Sequence, residues 1–207
     1  LLVNWQVKSG EAMAGIKDVL YVRFKVTDLQ AQKQFLNDFG FQTQIEDDLL
    51  MARGTDSSPY IYLAEASDTP AFVSVGFEAE SEDALRDIAA IDGVPVETNA
   101  LPGGGLIARL IDPNGFAVEV VTQIAHSPEL PVAGRSGLND GSTKQRLGQR
   151  VALDASACLI KRLGHVVLMV EDFPETFDWY QQRLGLLISD EIVMDQDGQE
   201  QTLGAFT

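Results

Sequence analysis

The chain has 207 residues, 45% of them apolar, enough for one large or two modest domains with real cores. Thirty-one acidic residues against fifteen basic ones give a formal charge of −16, which repels a phosphate backbone and argues against nucleic acid or an anionic membrane as partner. No apolar run is long enough to span a bilayer and no basic region followed by an apolar stretch marks a secretory signal, so the expected compartment is the cytoplasm.

Residues 1–15 have little periodicity and are read as an N-terminal arm. From Ile16 the apolar positions Val19, Tyr21, Phe24 and Val26 predict a strand that ends at Thr27-Asp28. Asp28 is placed to cap a helix carrying Leu29, Phe35, Leu36 and Phe39, and Gly40 is placed to stop it. Leu49 to Arg53 and Tyr60 to Leu63 then read as hairpin partners across a loop rich in turn residues.

The pattern returns with a strand from Phe72 to Phe77, a cap at Ser81, helix positions Leu85 and Ile88, and a stop at Gly93. Leu106 to Ile111 and Phe116 to Val121 flank Asp112-Pro113-Asn114-Gly115, in which proline suits the first central turn position and glycine the exit. Each unit is read as βαβββ, and the two together, residues 16–122, as a paired domain.

Residues 123–159 break the repeat. Prolines and glycines punctuate them, and from 123 to 162 six basic residues exceed three acidic ones, so the stretch reads as an interdomain connector lying against acidic domains; a phosphate or carboxylate site is the alternative. His126 fits an exposed loop. Cys158, the single cysteine, has no neighbouring histidine to activate it and reads as a small buried hydrophobe.

A third copy of the unit begins at Arg162-Leu163-Gly164-His165-Val166-Val167-Leu168-Met169-Val170-Glu171-Asp172-Phe173. It reads as a buried strand with His165, Val167 and Met169 on one, inward face. Asp172 and Pro174 open a helix with Phe177, Tyr180 and Leu184 inward, Gly185 ends it, and Leu186-Leu187-Ile188 restarts an extended run. Trp179 points to a contact between domains or subunits. Leu203 to Thr207 reads as the last strand of the unit, and Tyr21 aligns with His165.

These features together resemble the vicinal oxygen chelate superfamily, which contains glyoxalase, bleomycin-resistance proteins and type I extradiol ring-cleaving dioxygenases: the tandem βαβββ units, the strand-Asp-helix-Gly punctuation, the Asp112-Pro113-Asn114-Gly115 hairpin leading to Glu119, and the Arg162 to Leu168 run. The fold class it implies is α+β, with two modules paired in an N-terminal domain and residues 160–207 the first module of a C-terminal catalytic domain. The stretch from 162 most resembles the start of the catalytic domain of the extradiol enzymes.

That resemblance implies a metal, Fe(II) or alternatively Mn(II), held by two histidines and a glutamate, with His165 matching the first histidine. The second histidine, the glutamate and the acid-base groups belong to a fourth unit that does not follow within these residues, so the rest of the site is expected beyond Thr207. Without the resemblance, His165 reads more readily as a satisfied core histidine than as a ligand. Glu119 stands at the glutamate position of the N-terminal unit, but Tyr21 replaces the histidine there, and a structural glutamate is the simpler reading.

Val167 and Phe206 are expected to wall an aromatic substrate, although core packing explains them as well. The implied activity is cleavage of a catechol-type ring with O2. Alternatives are a glyoxalase-type lyase or isomerase and a metal-free protein that sequesters an aromatic ligand. Exposed sheet edges and apolar helices point to a homo-oligomer.

Overall fold

The computed structural model describes residues 15–132, 159–196 and 199–207. Its first ten elements are β1 (Ile16–Val26), α1 (Leu29–Phe39), β2 (Gln42–Glu46), β3 (Leu49–Arg53), β4 (Tyr62–Ala66), β5 (Ala71–Ala79), α2 (Glu82–Asp92), β6 (Val96–Thr98), β7 (Leu106–Ile111) and β8 (Ala117–Thr122). Strand, helix and three strands thus occur twice in succession, as the repeat predicts. A further helix, α3 (Phe173–Leu184), and the strands β9 (Asp190–Gln196) and β10 (Gln199–Phe206) follow. Among the described residues no helix is long and apolar enough to cross a membrane.

The helix ends follow directly from local chemistry. Asp28 accepts hydrogen bonds from the backbone N–H groups of Gln30 and Ala31, Ser81 from Ala84, and Asp172 from Glu175, which satisfies donors that have no partner inside the helix. Gly40, Gly93 and Gly185 close the three helices with φ of 108°, 64° and 70°, a left-handed conformation that residues with a Cβ adopt at a cost.

The chain divides into two compact units. Of the described residues, one comprises 25–70 with 126–132 and 159–162. Here β2, β3 and β4 form an antiparallel meander, and α1 covers it by packing Leu36 against Leu50, Ala52 and Ala64. The β3–β4 loop binds two later segments through its backbone: Thr55 N–H donates to Ile160 at 2.8 Å, and Leu130 N–H donates to Thr55 at 2.8 Å. Cys158 and most of the expected connector lie outside the described residues.

The other comprises, of the described residues, 15–24 with 71–125, 163–196 and 199–207. Its main sheet has the neighbour order β1, β5, β8, β7, β6. β5 runs parallel to β8, placing Gly76 opposite Glu119, and the antiparallel β7–β8 hairpin places Arg109 opposite the same glutamate. One face of this sheet is apolar: Leu85, Ile88 and Ala89 of α2 pack on Val75, Ala108, Leu110, Val118 and Val120. Burying each large aliphatic side chain there contributes about 1.5–3 kcal/mol.

Helix α3 joins the same core through Tyr180 and Leu184. It is docked by specific polar contacts as well. Arg183 forms a two-pronged ion pair with Asp92 at the end of α2 (2.7 and 2.6 Å) and lies over the Trp179 ring at 4.6 Å. Asn114 in the β7–β8 turn donates to Thr176 and accepts from the Glu171 backbone, at 2.9 and 3.0 Å.

Three expectations for the third unit are corrected. Residues 163–170 form no β-ladder among the described residues, so only one face of the segment is covered. The predicted alternation persists, but Val166 and Leu168 pack on the core while Val167 (73% exposed) and Met169 (86%) point away. His165 is therefore exposed rather than buried. The strand expected at Leu186 begins instead at Asp190, since Leu186 is taken up in core packing. Finally, β10 is the second strand after the helix, paired antiparallel with β9 and irregular between Thr202 and Gly204, rather than the last strand of a complete unit.

Because Asp28 satisfies two N–H groups of α1, Asp28→Ala is expected to lower unfolding stability by about 1 kcal/mol, with Asp28→Asn close to neutral. Urea denaturation followed by circular dichroism reads both; equal losses would show that the cap contributes nothing specific.

Candidate functional site

Two arrangements in the unit containing β5–β8 carry chemistry. The first is a polar cluster on the sheet. Tyr21 on β1, Ser74 on β5 and Glu119 on β8 converge because their strands are neighbours and each side chain projects from the same side. Tyr21 OH donates to Glu119 Oε2 at 2.7 Å and Ser74 Oγ donates to the same oxygen at 3.1 Å. Arg23, two residues from Tyr21 and hence on the same face, pairs with Oε1 at 2.8 Å.

Glu119 is only 3% exposed, so these contacts stabilise a charge that burial alone would penalise by several kcal/mol. Arg109 approaches Oε1 at 3.6 Å and also pairs with Glu97 at 2.6 Å. With a guanidinium on one oxygen and two hydroxyls on the other, the carboxylate is committed internally and offers neither a base nor a metal ligand. Gly76 completes the cluster: the Tyr21 ring lies where a Cβ at position 76 would stand. Arg23, Ser74 and Gly76 escaped the reading of the sequence; only the two-residue spacing of Tyr21 and Arg23 hinted at a shared face.

The second arrangement is a cavity of 360 Å³ that brings together all three sequence-predicted site residues, His165, Val167 and Phe206. Val75 and Phe77 from β5, Val166 and Leu168 from the covered side of the extended segment, and Phe173, Phe177, Tyr180 and Leu186 complete an apolar wall. Ionisable lining is confined to Lys17, Asp18 and His165, apart from the Tyr180 phenol. Lys17 pairs with Glu78 at 3.3 Å, and the Tyr180 hydroxyl donates to Asp112 Oδ2 at 3.3 Å. Burial, reinforced by the Asp112 charge and hydrogen bond, pushes the Tyr180 phenol far above its ordinary pKa.

Among the described residues no cluster of three His, Cys, Asp or Glu side chains could hold a metal ion. His165 is the one histidine lining the cavity. His126 lies elsewhere, exposed in a loop with its Nδ1 3.4 Å from Ser57 Oγ.

Residues 162–207 match the family model of the Glyoxalase/Bleomycin resistance protein/Dioxygenase superfamily. No curated protein sequence matches the chain. Among solved structures, the Mn(II)-bound glyoxalase from Novosphingobium aromaticivorans is 20% identical with a TM-score of 0.67, over 86% of this chain and 56% of that one. BphC, a halotolerant catechol dioxygenase, is 22% identical with a TM-score of 0.61, over 86% of this chain and 58% of that one. Homoprotocatechuate 2,3-dioxygenase from Arthrobacter globiformis is 19% identical with a TM-score of 0.52, over 56% of this chain and 39% of that one. The fold is thus the mixed α+β fold of the vicinal oxygen chelate superfamily, and the chain spans little more than half the length of the first two of these structures.

Two outcomes follow from the polar groups. Removing the nearer cation in Arg23→Met leaves the buried carboxylate with its two hydroxyl partners and the more distant, shared Arg109 guanidinium, and is expected to cost about 3–5 kcal/mol of stability. Tyr21→Phe removes one of two donors to Oε2 and should cost less, about 1–3 kcal/mol; denaturant titration that ranks the two variants in the opposite order would refute the assignment. Tyr180 stays protonated in the folded protein where an unfolded tyrosine ionises, at about pH 10. Its contribution to stability is fully present below that pH and falls as pH rises beyond it. Alkaline unfolding between pH 9 and 11 should accordingly be shallower in Tyr180→Phe than in the parent, as measured against about 1.4 kcal/mol per pH unit for one proton; identical slopes would count against the shift.

Proposed function

We propose that this chain, which has the vicinal oxygen chelate fold, belongs to a metal-dependent extradiol dioxygenase that opens the ring of a catechol-type aromatic with O2. The observation that carries the reading is His165 at the wall of an apolar cavity, within the stretch of residues 162–207 that matches the glyoxalase and dioxygenase family model. The metal would be Fe(II), or alternatively Mn(II), with His165 as one ligand. Because the described residues do not assemble a complete ligand set, further ligands must come from outside them.

Within this reading the chain's own residues bind and orient the aromatic. Val167 and Phe206 contact the ring, and Phe173, Phe177 and Leu186 exclude water from the inner cavity. The N-terminal cluster around Glu119 plays no part in chemistry, since its carboxylate is neutralised by Arg23. The protein works as a cytoplasmic homo-oligomer.

The similarity to the Mn(II)-bound glyoxalase favours one second reading, a glyoxalase-type lyase or isomerase built on the same fold. Oxygen consumption separates the two. Full-length protein purified anaerobically should carry about one iron or manganese per chain and consume O2 when a catechol is added. His165→Ala should lower metal occupancy and catechol-dependent O2 uptake by more than about 100-fold, beyond what loss of a ligand's supporting partner costs. Full metal content and full uptake in that variant would sink the assignment of His165, whereas metal without any O2 uptake in the parent protein would shift the function to the glyoxalase type.

A further inference from the structure

The turn between β7 and β8 carries a reactive pair of residues that the rest of the unit restrains. Asn114 is followed by Gly115, and among the asparagines of the sequence it alone precedes glycine. Glycine suits the position because its φ is 83°, a left-handed conformation that a Cβ disfavours. The same lack of a side chain leaves the Gly115 nitrogen unhindered, in an exposed turn open to water and hydroxide. Asparagine is thermally labile, and an unhindered backbone nitrogen one residue on is the nucleophile that attacks its amide.

Hydrogen bonds hold the two reactants apart in the fold. The Gly115 N–H donates to the Asp112 carbonyl at 3.0 Å, and the Asn114 N–H donates to Asp112 Oδ1 at 2.9 Å. The Asn114 amide is turned toward α3 instead: its Nδ2 donates to Thr176 Oγ1 at 2.9 Å and its Oδ1 accepts from the Glu171 N–H at 3.0 Å. Cγ can swing onto the Gly115 nitrogen only when both side-chain bonds break, that is, when the start of α3 lifts from the turn.

From this geometry we propose that Asn114 is a deamidation site gated by α3, and that its conversion keeps the helix from seating again. In the open state the deprotonated Gly115 nitrogen bonds to Asn114 Cγ, the Cγ–Nδ2 bond breaks and ammonia leaves. Water then opens the cyclic imide at either carbonyl, giving aspartate or isoaspartate. The aspartate has no proton to donate. Thr176 Oγ1 already donates to the Asp172 carbonyl at 2.6 Å, so the seat then holds two acceptors for one hydroxyl proton. The new carboxylate also adds its charge beside Asp112, Glu171 and Asp172. Isoaspartate lengthens the backbone inside the turn by a methylene, which parts Asp112 from the Asn114 and Phe116 N–H groups it holds. Because α3 carries Phe177 and Tyr180, an unseated helix loosens the cavity wall.

The test follows peptide masses of the full-length protein held at mildly alkaline pH, folded and in urea. In urea Asn114 is expected to deamidate faster than any other asparagine of the chain. In the folded protein it should react at least tenfold more slowly than in urea, since only the open fraction reacts. Thr176→Val, which removes one of the two side-chain holds, should speed the folded rate severalfold and leave the rate in urea unchanged. The deamidated parent, separated by anion exchange, and Asn114→Asp should both show faster hydrogen exchange in α3, with α1 unchanged as the internal reference. Equal rates in folded and unfolded chains, or a folded rate that Thr176→Val leaves unaltered, would overturn the gate. Exchange in α3 identical to that of the unmodified protein would overturn the unseating; the separated product decides that point should Asn114→Asp fail to fold.

Discussion

The sheet of the larger unit depends on one buried carboxylate. Glu119 on β8 draws a phenol from β1, a hydroxyl from β5 and a guanidinium from β1 onto its two oxygens. A lone carboxylate at 3% exposure would be strongly unfavourable, and the three donors stabilise it only if three strands hold a single mutual register. A slip of one residue in any of them would turn its donor to the opposite face and bring apolar side chains of the core out with it. Gly76 belongs to this constraint, because the phenol reaches the carboxylate only by crossing β5 where no side chain stands. The polar face therefore specifies register, and the apolar face beneath α2 supplies most of the burial.

A second carboxylate, Asp112, connects this sheet to the cavity. Its Oδ1 accepts from the backbone N–H groups of Asn114 and Phe116 and so fixes the β7–β8 turn. Its Oδ2 accepts from Tyr180, and the neighbouring Asn114 holds Thr176 and the Glu171 backbone. The turn that ends a hairpin in the second repeat is thus also the seat of the helix in the third. Since α3 carries Phe177 and Tyr180 into the cavity wall, the shape of the cavity is tied to a turn that contributes no side chain to its lining.

Much of this was legible locally. Asp28, Ser81 and Asp172 cap their helices and Gly40, Gly93 and Gly185 end them, as their spacing indicates, because capping involves groups only a few residues apart. The Asp112 turn was legible for the same reason. The phase of residues 163–170 was not. Alternation identifies two faces but cannot say which will be covered; that depends on Val75, Phe77 and α3, which lie far away in the chain or on the next element. Ser74 and Arg23 were missed because a parallel pairing of β5 with β8, and a first strand added beside β5, bring together residues whose separation in sequence carries no signal.

The aligned positions Tyr21 and His165 show how one repeated backbone serves two ends. In the first unit the position is fully buried, and its side chain is consumed by a neutralising network in which every polar atom named has a partner. In the third, the corresponding segment has one face on the core and the other open, so the imidazole stands at the edge of a cavity beside Val167 and Phe206. A buried network rigidifies a domain and removes its carboxylate from chemistry; an exposed imidazole over an apolar wall leaves a nitrogen lone pair available to a ligand. The division of labour between the repeats thus follows from burial. The first pair secures its ionisable groups against one another, and the third unit leaves its histidine accessible beside an apolar cavity.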